Sequence, residues 1–334
     1  MLSLSELTPD RLFAPVAQAR TLALAVSGGP DSLALMVLAH EWSRGNEGPK
    51  LVIYSVDHGL RPEAAQEAAM VAREAAKRGL DSRILRWLDD KPETGIQAAA
   101  RKARYRLMGQ AMIEDQAEFV LTAHHLGDLA ETVLMRLAHG SGVEGLRGMD
   151  SFAEIEGCRI FRPLLRVEPA DLLEVVEHAG LTPAHDPSNS NRHYERVRWR
   201  QMMPALAELG LDPRRLGTFA ARMADADQLI QSEADKASVA LVHRTEGRAE
   251  MPHAGLVTLP RAVGVRLLAR VFGSIGGDRK PHALGAVETL FDRLTQRQEL
   301  KPSTLHGCVV SSDGVVVSIA PEGARRGQPQ LISS

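Results

Sequence analysis

The sequence predicts an α/β fold: a doubly wound parallel sheet, followed by a smaller C-terminal helical domain that ends in a short β element. Short apolar runs alternate with segments of helical periodicity from Leu22 to His178. This alternation is typical of parallel strands joined by right-handed helical crossovers. Downstream of residue 215 the pattern changes to helices and one closing hairpin signal. A chain of 334 residues is long enough for two separate hydrophobic cores.

The first predicted strand leads into a glycine-rich turn. Leu22–Val26 is an apolar run that suits a buried parallel strand, and Leu33–Ala39 has the pattern of a helix. The turn between them is Ser27–Ser32, with the sequence Ser-Gly-Gly-Pro-Asp-Ser. Its two glycines leave backbone N–H groups uncovered and allow positive φ angles. Together with the amino end of the helix, they predict a concave anion-binding site.

Polar side chains in this turn add to the predicted anion site. Ser27 and Ser32 supply hydroxyl donors, and Asp31 can hold a Mg²⁺ ion that bridges phosphates. The turn is not a Walker A loop, because that motif requires a lysine and the turn has none. A simple change of chain direction after a strand is the alternative interpretation.

The following elements continue the alternation. Further strands are predicted at Leu51–Val56, Arg83–Trp87 and Phe119–Ala123, and helices at Pro62–Arg78, Gly95–Ile113, Leu129–Leu137 and Pro169–His178. The Ser27–Ser32 turn, Asp57–Arg61 and His124–Asp128 each follow the carboxyl end of a strand. Ligands of open parallel sheets bind at those ends. The sequence therefore predicts that these three polar segments form one site.

The second half of the chain is predicted to be mainly helical. Gly140–Met149 is glycine-rich and predicts a mobile loop. Helices are predicted over Leu216–Val242 and near Arg261–Val271 and His282–Leu294. Valine pairs on both sides of Asp313-Gly314 indicate a hairpin. We place the domain boundary near residue 215, which gives domains of 1–215 and 216–325 and a tail of 326–334 that we expect to be disordered.

Composition excludes several classes of protein. The net charge is −2, so a surface that binds nucleic acid must be a local patch, and the 4% aromatic content predicts few stacking platforms for bases. Two distant cysteines exclude a disulfide scaffold, a cysteine zinc cluster and paired-thiol sulfur chemistry. The sequence has no signal peptide and no apolar run as long as a membrane span. We therefore expect a cytoplasmic protein.

Histidine and acidic residues follow the fourth strand. Asp128 and Glu131 are three residues apart and share one helix face. They either interact favourably with the helix dipole or hold Mg²⁺ or the ammonium group of an amine nucleophile. For His124 and His125 no third ligand stands at zinc-site spacing. At least one of these histidines is expected to line a nucleotide pocket or to cap the next helix.

Two groups of basic residues are candidates for phosphate binding. Arg101, Lys102 and Arg104 lie on one predicted helix and form either a solvated face or a source of positive charge for a phosphorus transition state. A second, arginine-dense group suits RNA phosphates, with Tyr194 and Trp199 available to stack on a base. Its members are Arg192, Arg196, Arg198 and Arg200. An ordinary charged surface is the alternative for this group.

The turn resembles the pyrophosphate-binding loop of the N-type ATP pyrophosphatases, also called the PP-loop superfamily. The wider set of motifs resembles the bacterial tRNA(Ile)-lysidine synthetase family over roughly residues 20–205. The matching segments, in the order of the family, are Ser27–Ser32, Val56–Arg61, Ala98–Tyr105, Ala123–Thr132 with Arg136, Gly140–Gly142, Arg162–Leu165, and Asp186–Asn189 with Arg196 and Arg200.

The resemblance implies a fold like that of the adenine-nucleotide alpha-hydrolases, with a PP-loop catalytic domain (1–215) and a helical tRNA-binding domain (216–325). It implies a ligase that uses ATP to adenylate the C2 carbonyl oxygen of the wobble cytidine in an isoleucine tRNA with a CAU anticodon. The ε-amino group of free lysine then displaces AMP to form lysidine. The implied cofactors are ATP and Mg²⁺, and the implied partners are the tRNA, lysine and a second copy of the chain in a homodimer.

The resemblance also implies roles for individual residues. The residues implied to bind ATP are Ser27, Gly28, Gly29, Pro30, Asp31, Ser32, Asp57, His58 and His124. The implied catalytic residues are Asp31, Arg101, Arg104, Asp128 and Glu131. The implied Mg²⁺ ligands are Asp31 and Asp128. Binding of tRNA falls to Asn189, Arg192, Arg196, Arg198 and Arg200.

This chain departs from the family pattern at two positions. Gly127-Asp128 stands where the family often has paired acids, and Val197 stands where an asparagine commonly follows the arginine. A tRNA 2-thiolation enzyme of the same superfamily is an alternative, but it needs paired cysteines or an iron–sulfur site. A non-catalytic tRNA-binding protein is the second alternative, and the complete Ser27–Ser32 turn argues against it.

Overall fold

The computed structural model describes residues 8–45, 48–61, 63–184, 193–245, 247–276, 284–297 and 299–322. Asn189, Arg192 and the predicted turn at 186–189 lie outside these residues. The chain divides into two compact units. The N-terminal unit ends at residue 221, apart from residues 141–144, which belong to the C-terminal unit that continues from residue 222. The predicted boundary at residue 215 falls inside a helix, Pro213–Leu241.

The N-terminal unit contains a six-stranded sheet. Its strands are β1 Thr21–Ala25, β2 Lys50–Asp57, β3 Asp81–Arg86, β4 Phe119–Leu121, β5 Phe152–Ile155 and β6 Cys158–Phe161. They lie in the order β3-β2-β1-β4-β6-β5. Neighbouring strands pair in parallel from β3 to β6, and only the edge strand β5 is antiparallel to its neighbour. The predicted α/β fold with a parallel sheet is confirmed.

Helices connect these strands and surround the sheet. They are α1 Pro9–Phe13, α2 Pro30–Gly45, α3 Glu63–Lys77, α4 Ile96–Glu114, α5 Leu126–Ala138, α6 Val143–Leu146, α7 Pro169–His178, α8 Glu195–Glu208 and α9 Pro213–Leu241. Alternation along β1 directs Leu22 and Leu24 into a core with α2 and α7, and Ala23 into a second core with α4. Helix α2 is buried from Ser32 to Ala39, as expected for a helix that is apolar on all sides.

Three local predictions for this unit were wrong. The segment predicted as a loop at Gly140–Met149 contains the short helix α6, and Arg136 Nη1 donates to the carbonyl oxygen of Gly145 at 2.8 Å. The hairpin of β5 and β6 was missed, because strands of four residues give almost no periodic signal. Helix α5 begins at Leu126 and not at Leu129, because His125 caps it.

The C-terminal unit contains a second sheet and three further helices. Its strands are β7 His243–Thr245, β8 Arg248–Pro252, β9 Glu299–Leu305, β10 Cys308–Asp313 and β11 Val316–Pro321, in the order β7-β8-β11-β10-β9. The helices are α10 His253–Val257, α11 Arg261–Gly276 and α12 Leu284–Gln296. The hairpin predicted at Asp313-Gly314 is confirmed, and Asp313 Oδ1 accepts N–H groups from Val315 and Val316. The sheet has more strands than the short β element predicted from the sequence.

The structure also bears on membrane association and on thiol chemistry. Within the described ranges, no helix combines the length and the apolarity that crossing a bilayer requires. Cys158 and Cys308 are both buried, one in each unit. Burial raises the pKa of the Cys158 thiol to about 12, so this side chain stays protonated and unreactive near neutral pH.

Candidate active site at the carboxyl ends of the parallel strands

The turn after β1 has a conformation that only glycine accommodates at one position. Gly28 has a φ angle of +93°, and a Cβ atom there would lie 3.1 Å from the methyl carbon of Met70. Its carbonyl oxygen accepts a hydrogen bond from the N–H of Ala184 at 2.9 Å. Helix α2 then begins at Pro30, whose missing N–H costs nothing at a first helical position.

The Ser32 hydroxyl organises the turn from inside. Its Oγ lies 3.2 Å from the backbone nitrogens of both Ser27 and Gly28, which donate to it, and it donates to the carbonyl oxygen of Gly29 at 2.9 Å. The sequence predicts that this hydroxyl donates to a bound anion, but in the structure its hydrogen bonds lie within the turn. The first-turn amides of α2 provide the positive end of the helix dipole for a phosphate group.

His125 lies between the turn and helix α5. Its Nδ1 accepts the N–H of Asp128 at 3.3 Å, and Asp128 Oδ2 accepts the N–H of His125 at 3.1 Å. This reciprocal pair is a capping box. On the other side of the ring, Nε2 lies 3.6 Å from Asp31 Oδ2. Desolvation by burial, with repulsion from Asp128, raises the pKa of Asp31 above its ordinary value.

The acidic face of α5 is bound by two arginines of α8. Arg196 Nε and Arg200 Nε each donate to a different oxygen of Glu131 at 2.6 Å. Arg196 Nη2 also donates to Asp128 Oδ1 at 2.9 Å. The Glu131 side chain is only 4% exposed. The predicted shared face of Asp128 and Glu131 therefore exists, and both of its carboxylates have arginine partners.

Electrostatics keeps Asp128 ionised. Burial alone would raise the pKa of this carboxyl group, but attraction to His125, Arg196 and His124 outweighs burial and holds the pKa below its ordinary value. In Arg200, the hydrogen bond to Glu131 raises the pKa. Asp128 and the arginines of α8 therefore place charges of both signs beside the turn.

The arginines predicted for RNA occupy different positions. Arg196 and Arg200 face the acidic side chains of α5. Arg198 is exposed and donates to the carbonyl oxygen of His193 at 3.1 Å. Tyr194 Oη accepts from Gln97 at 3.1 Å, and Trp199 packs among apolar side chains of α5 and α9. Within the described part of this group, Arg198 and Arg200 are both exposed, but only Arg196 and Arg200 are bound to the acidic side chains of α5.

A second group of basic side chains surrounds the ends of β2 and β4. Arg104 Nε lies 3.4 Å from His58 Nε2, which brings α4 to the end of β2. Asp57 Oδ1 accepts the N–H of Gly59 at 2.9 Å and so shapes the next turn. Thr122 Oγ1 lies 2.9 Å from His124 Nδ1. Four of these residues were predicted to bind nucleotide or phosphate, and they lie at the same edge of the sheet: Asp57, His58, Arg104 and His124.

We expect both histidines of this edge to titrate far below the usual range. Desolvation by burial lowers the pKa of His58 and of His124 to about 4. The unfolded chain binds protons near pH 6.5, so the stability that comes from keeping them neutral is complete above that pH and is lost as the pH falls through about 4. Imidazole proton NMR, with His58→Gln and His124→Asn to assign signals, measures the midpoints. Midpoints near 6.5 would contradict the burial of these rings.

The sequence predicts that at least one of His124 and His125 lines a nucleotide pocket or caps the next helix, and the cap at His125 confirms this prediction. One further residue of the site was not predicted from the sequence. Arg162 appeared only inside a matching motif. It is buried, its Nη1 donates to the carbonyl oxygen of Asp150 at 2.6 Å, and burial lowers its pKa. Its Nε is buried with no hydrogen-bond partner in the part of the chain that the structure describes.

The donor set of the site fits a magnesium ion that is held together with substrate phosphates. Asp31 and Asp128 offer carboxylate oxygens that both lie within 3.6 Å of one His125 nitrogen. Mg²⁺ prefers one or two carboxylates plus phosphates over a complete protein cage. The described residues contain no group of three or more His, Cys, Asp or Glu side chains that could hold a metal ion. A cation there would also relieve the repulsion that raises the pKa of Asp31.

Comparisons with known proteins identify the family of the chain. A PP-loop domain model matches residues 3–206. The chain is 42% identical to a tRNA(Ile)-lysidine synthase of Bradyrhizobium sp. strain BTAi1, covering 98% of both chains. It is 44% identical to one of Rhodopseudomonas palustris, covering 95% of both chains. Among solved structures, a U34-tRNA thiolase of Methanococcus maripaludis is similar in fold, with a TM-score of 0.57 and 17% identity over 66% of this chain and 80% of that one.

Proposed function

The chain belongs to the tRNA(Ile)-lysidine synthase family of PP-loop enzymes, and from this premise we propose how its own residues carry out the ligation. The reaction joins lysine to C2 of the wobble cytidine in the isoleucine tRNA with a CAU anticodon. ATP is consumed, and AMP and pyrophosphate are released. The observation that carries the proposal is the meeting of the Ser27–Ser32 turn with the acidic end of α5 through His125.

The first step is adenylation of the tRNA. The C2 carbonyl oxygen of cytidine attacks the α-phosphorus of ATP, and the bond between that phosphorus and the bridging oxygen breaks to release pyrophosphate. The turn and the first-turn amides of α2 bind the departing phosphates. Arg101 and Arg104 supply positive charge to the transition state. Asp31 and Asp128 would hold Mg²⁺, which supplies charge neutralisation on the phosphates.

The second step is displacement of AMP by lysine. The neutral ε-amino nitrogen attacks C2, the bond from C2 to the adenylate oxygen breaks, and the nitrogen loses a proton. Glu131 has each oxygen hydrogen-bonded to a different arginine, so we assign it to holding Arg196 and Arg200 in place. Asp128 is the carboxylate nearer to the turn, and we assign it to the lysine amine and its proton.

Replacing Asp128 with asparagine is expected to slow lysine transfer by about 10²-fold and to change ATP affinity by less than about threefold, roughly 0.6 kcal/mol. The asparagine keeps the shape and an oxygen that can accept the N–H of His125 and ligate Mg²⁺, but it cannot accept a proton. Single-turnover transfer of labelled lysine to pre-adenylated tRNA measures the first quantity, and calorimetry measures the second. Equal losses in both would contradict the assignment of Asp128 to the second step.

The alternative functions have less support. The similar thiolase shares only the fold at 17% identity. Cys158 and Cys308 are buried in different units and do not form the paired thiols that 2-thiolation would need. A protein that only binds tRNA would not need the organised Ser27–Ser32 turn or the charged side chains beside it. We further propose that the enzyme acts in the cytoplasm, where its tRNA and ATP are found; the homodimer stays a prediction.

One incubation tests the proposed function. The purified chain is mixed with ATP, magnesium chloride, labelled lysine and transcripts of isoleucine or methionine tRNA that both carry a CAU anticodon. We expect label only in the isoleucine transcript, with one AMP formed per lysine attached. Label in neither transcript, or sulfur incorporation in a parallel reaction with a sulfur donor, would refute the proposal.

A further inference from the structure

His125 makes different contacts with its two ring nitrogens. Nδ1 accepts the N–H of Asp128 at 3.3 Å, so in the neutral ring the proton lies on Nε2. Nε2 lies 3.6 Å from Asp31 Oδ2 and 3.5 Å from Asp128 Oδ2. The ring is 7% exposed. One N–H group therefore faces a carboxylate of the turn and a carboxylate of the helix that follows β4.

Capping alone does not explain a histidine at this position. Serine, threonine, aspartate and asparagine are the preferred N-cap residues, and each accepts the same backbone N–H. Only a ring with two nitrogens on opposite sides also presents a donor toward Asp31. Gly127 makes room for that ring, because a Cβ atom there would lie 2.9 Å from His125 Cε1. The glycine that departs from the family pattern thus permits the observed ring position.

We propose that His125 is a positioning residue that orients the Asp31 carboxylate toward the nucleotide phosphates. Nδ1 holds the ring against the first turn of α5, and Nε2–H attracts Asp31 Oδ2. Repulsion between Asp31 and Asp128 would otherwise turn the Asp31 side chain away from the acidic end of α5. The inference rests on the proposed function for the role of Asp31. It adds His125 as the residue that links the Ser27–Ser32 turn to Asp128, which we assign to the lysine amine.

Two substitutions separate the functions of the two nitrogens. His125→Asn places an amide oxygen where Nδ1 stands and so keeps the cap, but it has no group that reaches Asp31. His125→Gln places an amide nitrogen near the Nε2 position and so keeps a donor toward Asp31, but it loses the cap. The first variant isolates positioning, and the second isolates helix stability.

We expect opposite results for the two variants. By calorimetry with ATP and magnesium chloride, without tRNA or lysine, His125→Asn should weaken binding about tenfold, because the attraction between the Nε2–H group and the Asp31 carboxylate is lost. His125→Gln should stay within about twofold of the wild type. Thermal unfolding should show the reverse, with a melting temperature lowered by about 3 °C only in His125→Gln. Equal weakening of ATP binding in both variants would overturn the proposal.

A double-mutant cycle with Asp31→Asn tests whether His125 acts through Asp31. In the Asp31→Asn background, His125→Asn should weaken ATP binding by less than about twofold further, because the carboxylate that it positions is gone. Additive losses would show a purely structural role and overturn the proposal. Because this assay needs neither tRNA nor lysine, its result does not depend on the proposed ligation, which the incubation with wild-type chain tests separately.

Discussion

Asp31→Ala is expected to reduce pyrophosphate release about 10²–10³-fold, the usual cost of removing one group that stabilises transition-state charge. Asp31 is the carboxylate of the Ser27–Ser32 turn, lies in the first turn of α2, and has Oδ2 3.6 Å from His125. Without it, the turn would lose the carboxylate that we propose to hold Mg²⁺ beside the phosphates of ATP. Binding of the tRNA should change less than about threefold, because the substitution removes no positive charge. Pyrophosphate release and filter binding measure the two quantities.

Asp171→Ala is the matched control for this substitution. Asp171 also follows a proline in the first turn of a helix, Pro169–His178, but stands outside the site. It occupies a comparable position at the positive end of a helix dipole, and we expect the rate of pyrophosphate release in Asp171→Ala to stay within about threefold of the wild type. A rate near that of the wild type in Asp31→Ala would remove the turn from the mechanism.

Stability provides a second readout for Asp31. Its pKa is raised in the folded chain, first by burial, so folding disfavours the ionised form and the charge opposes stability at neutral pH. Asp31→Ala should therefore unfold at the same temperature as the wild type or at a higher one. Loss of activity with unchanged or greater stability is the pattern expected of a functional residue, whereas a lower melting temperature would indicate a structural one.

Glu131→Gln is expected to lower the free energy of unfolding by about 2–3 kcal/mol and to abolish measurable lysine transfer. The buried carboxylate accepts from both Arg196 and Arg200 at 2.6 Å. The glutamine side chain has one acceptor oxygen and one NH₂ group. One of the two guanidinium groups would therefore face another N–H donor in place of an acceptor. The figure lies below that of a fully buried pair because Arg196 and Arg200 are 36% and 47% exposed. Urea unfolding and the labelled-lysine assay measure the two effects.

Asp292→Asn is the control for the same chemistry in an exposed setting. Arg261 donates to both oxygens of Asp292 at 2.8 and 2.9 Å, and both side chains are exposed. Because exposed ion pairs contribute little, we expect a much smaller loss of stability than in Glu131→Gln. If Glu131→Gln were no more destabilising than this control, the hydrogen bonds from Arg196 and Arg200 to Glu131 would have no structural importance. If lysine transfer survived, Glu131 would have no part in the reaction.

Local patterns in the sequence were sufficient for much of the fold and for the location of the site. The alternation of strands and helices predicts the parallel sheet, and sheet topology then requires that the turn after β1, Asp57 and His124 lie at one edge. Helical periodicity places Asp128 and Glu131 on one face of α5. Each of these conclusions depends on residues near one another in the chain, where backbone geometry alone determines relative position.

The tertiary structure alone decided what these groups contact. Arg196 meets Glu131 across 65 residues of sequence, and no periodicity shows that α8 packs against α5 and not against RNA. The second contact of His125 depends on Asp31, which reaches the ring from the first turn of α2. Pairings between distant segments follow from the packing of buried surfaces, which the order of residues in the chain does not encode locally. The sequence by itself therefore predicted where the candidate site lies, and the packing of α5, α8 and the turn decided what each of its side chains contacts.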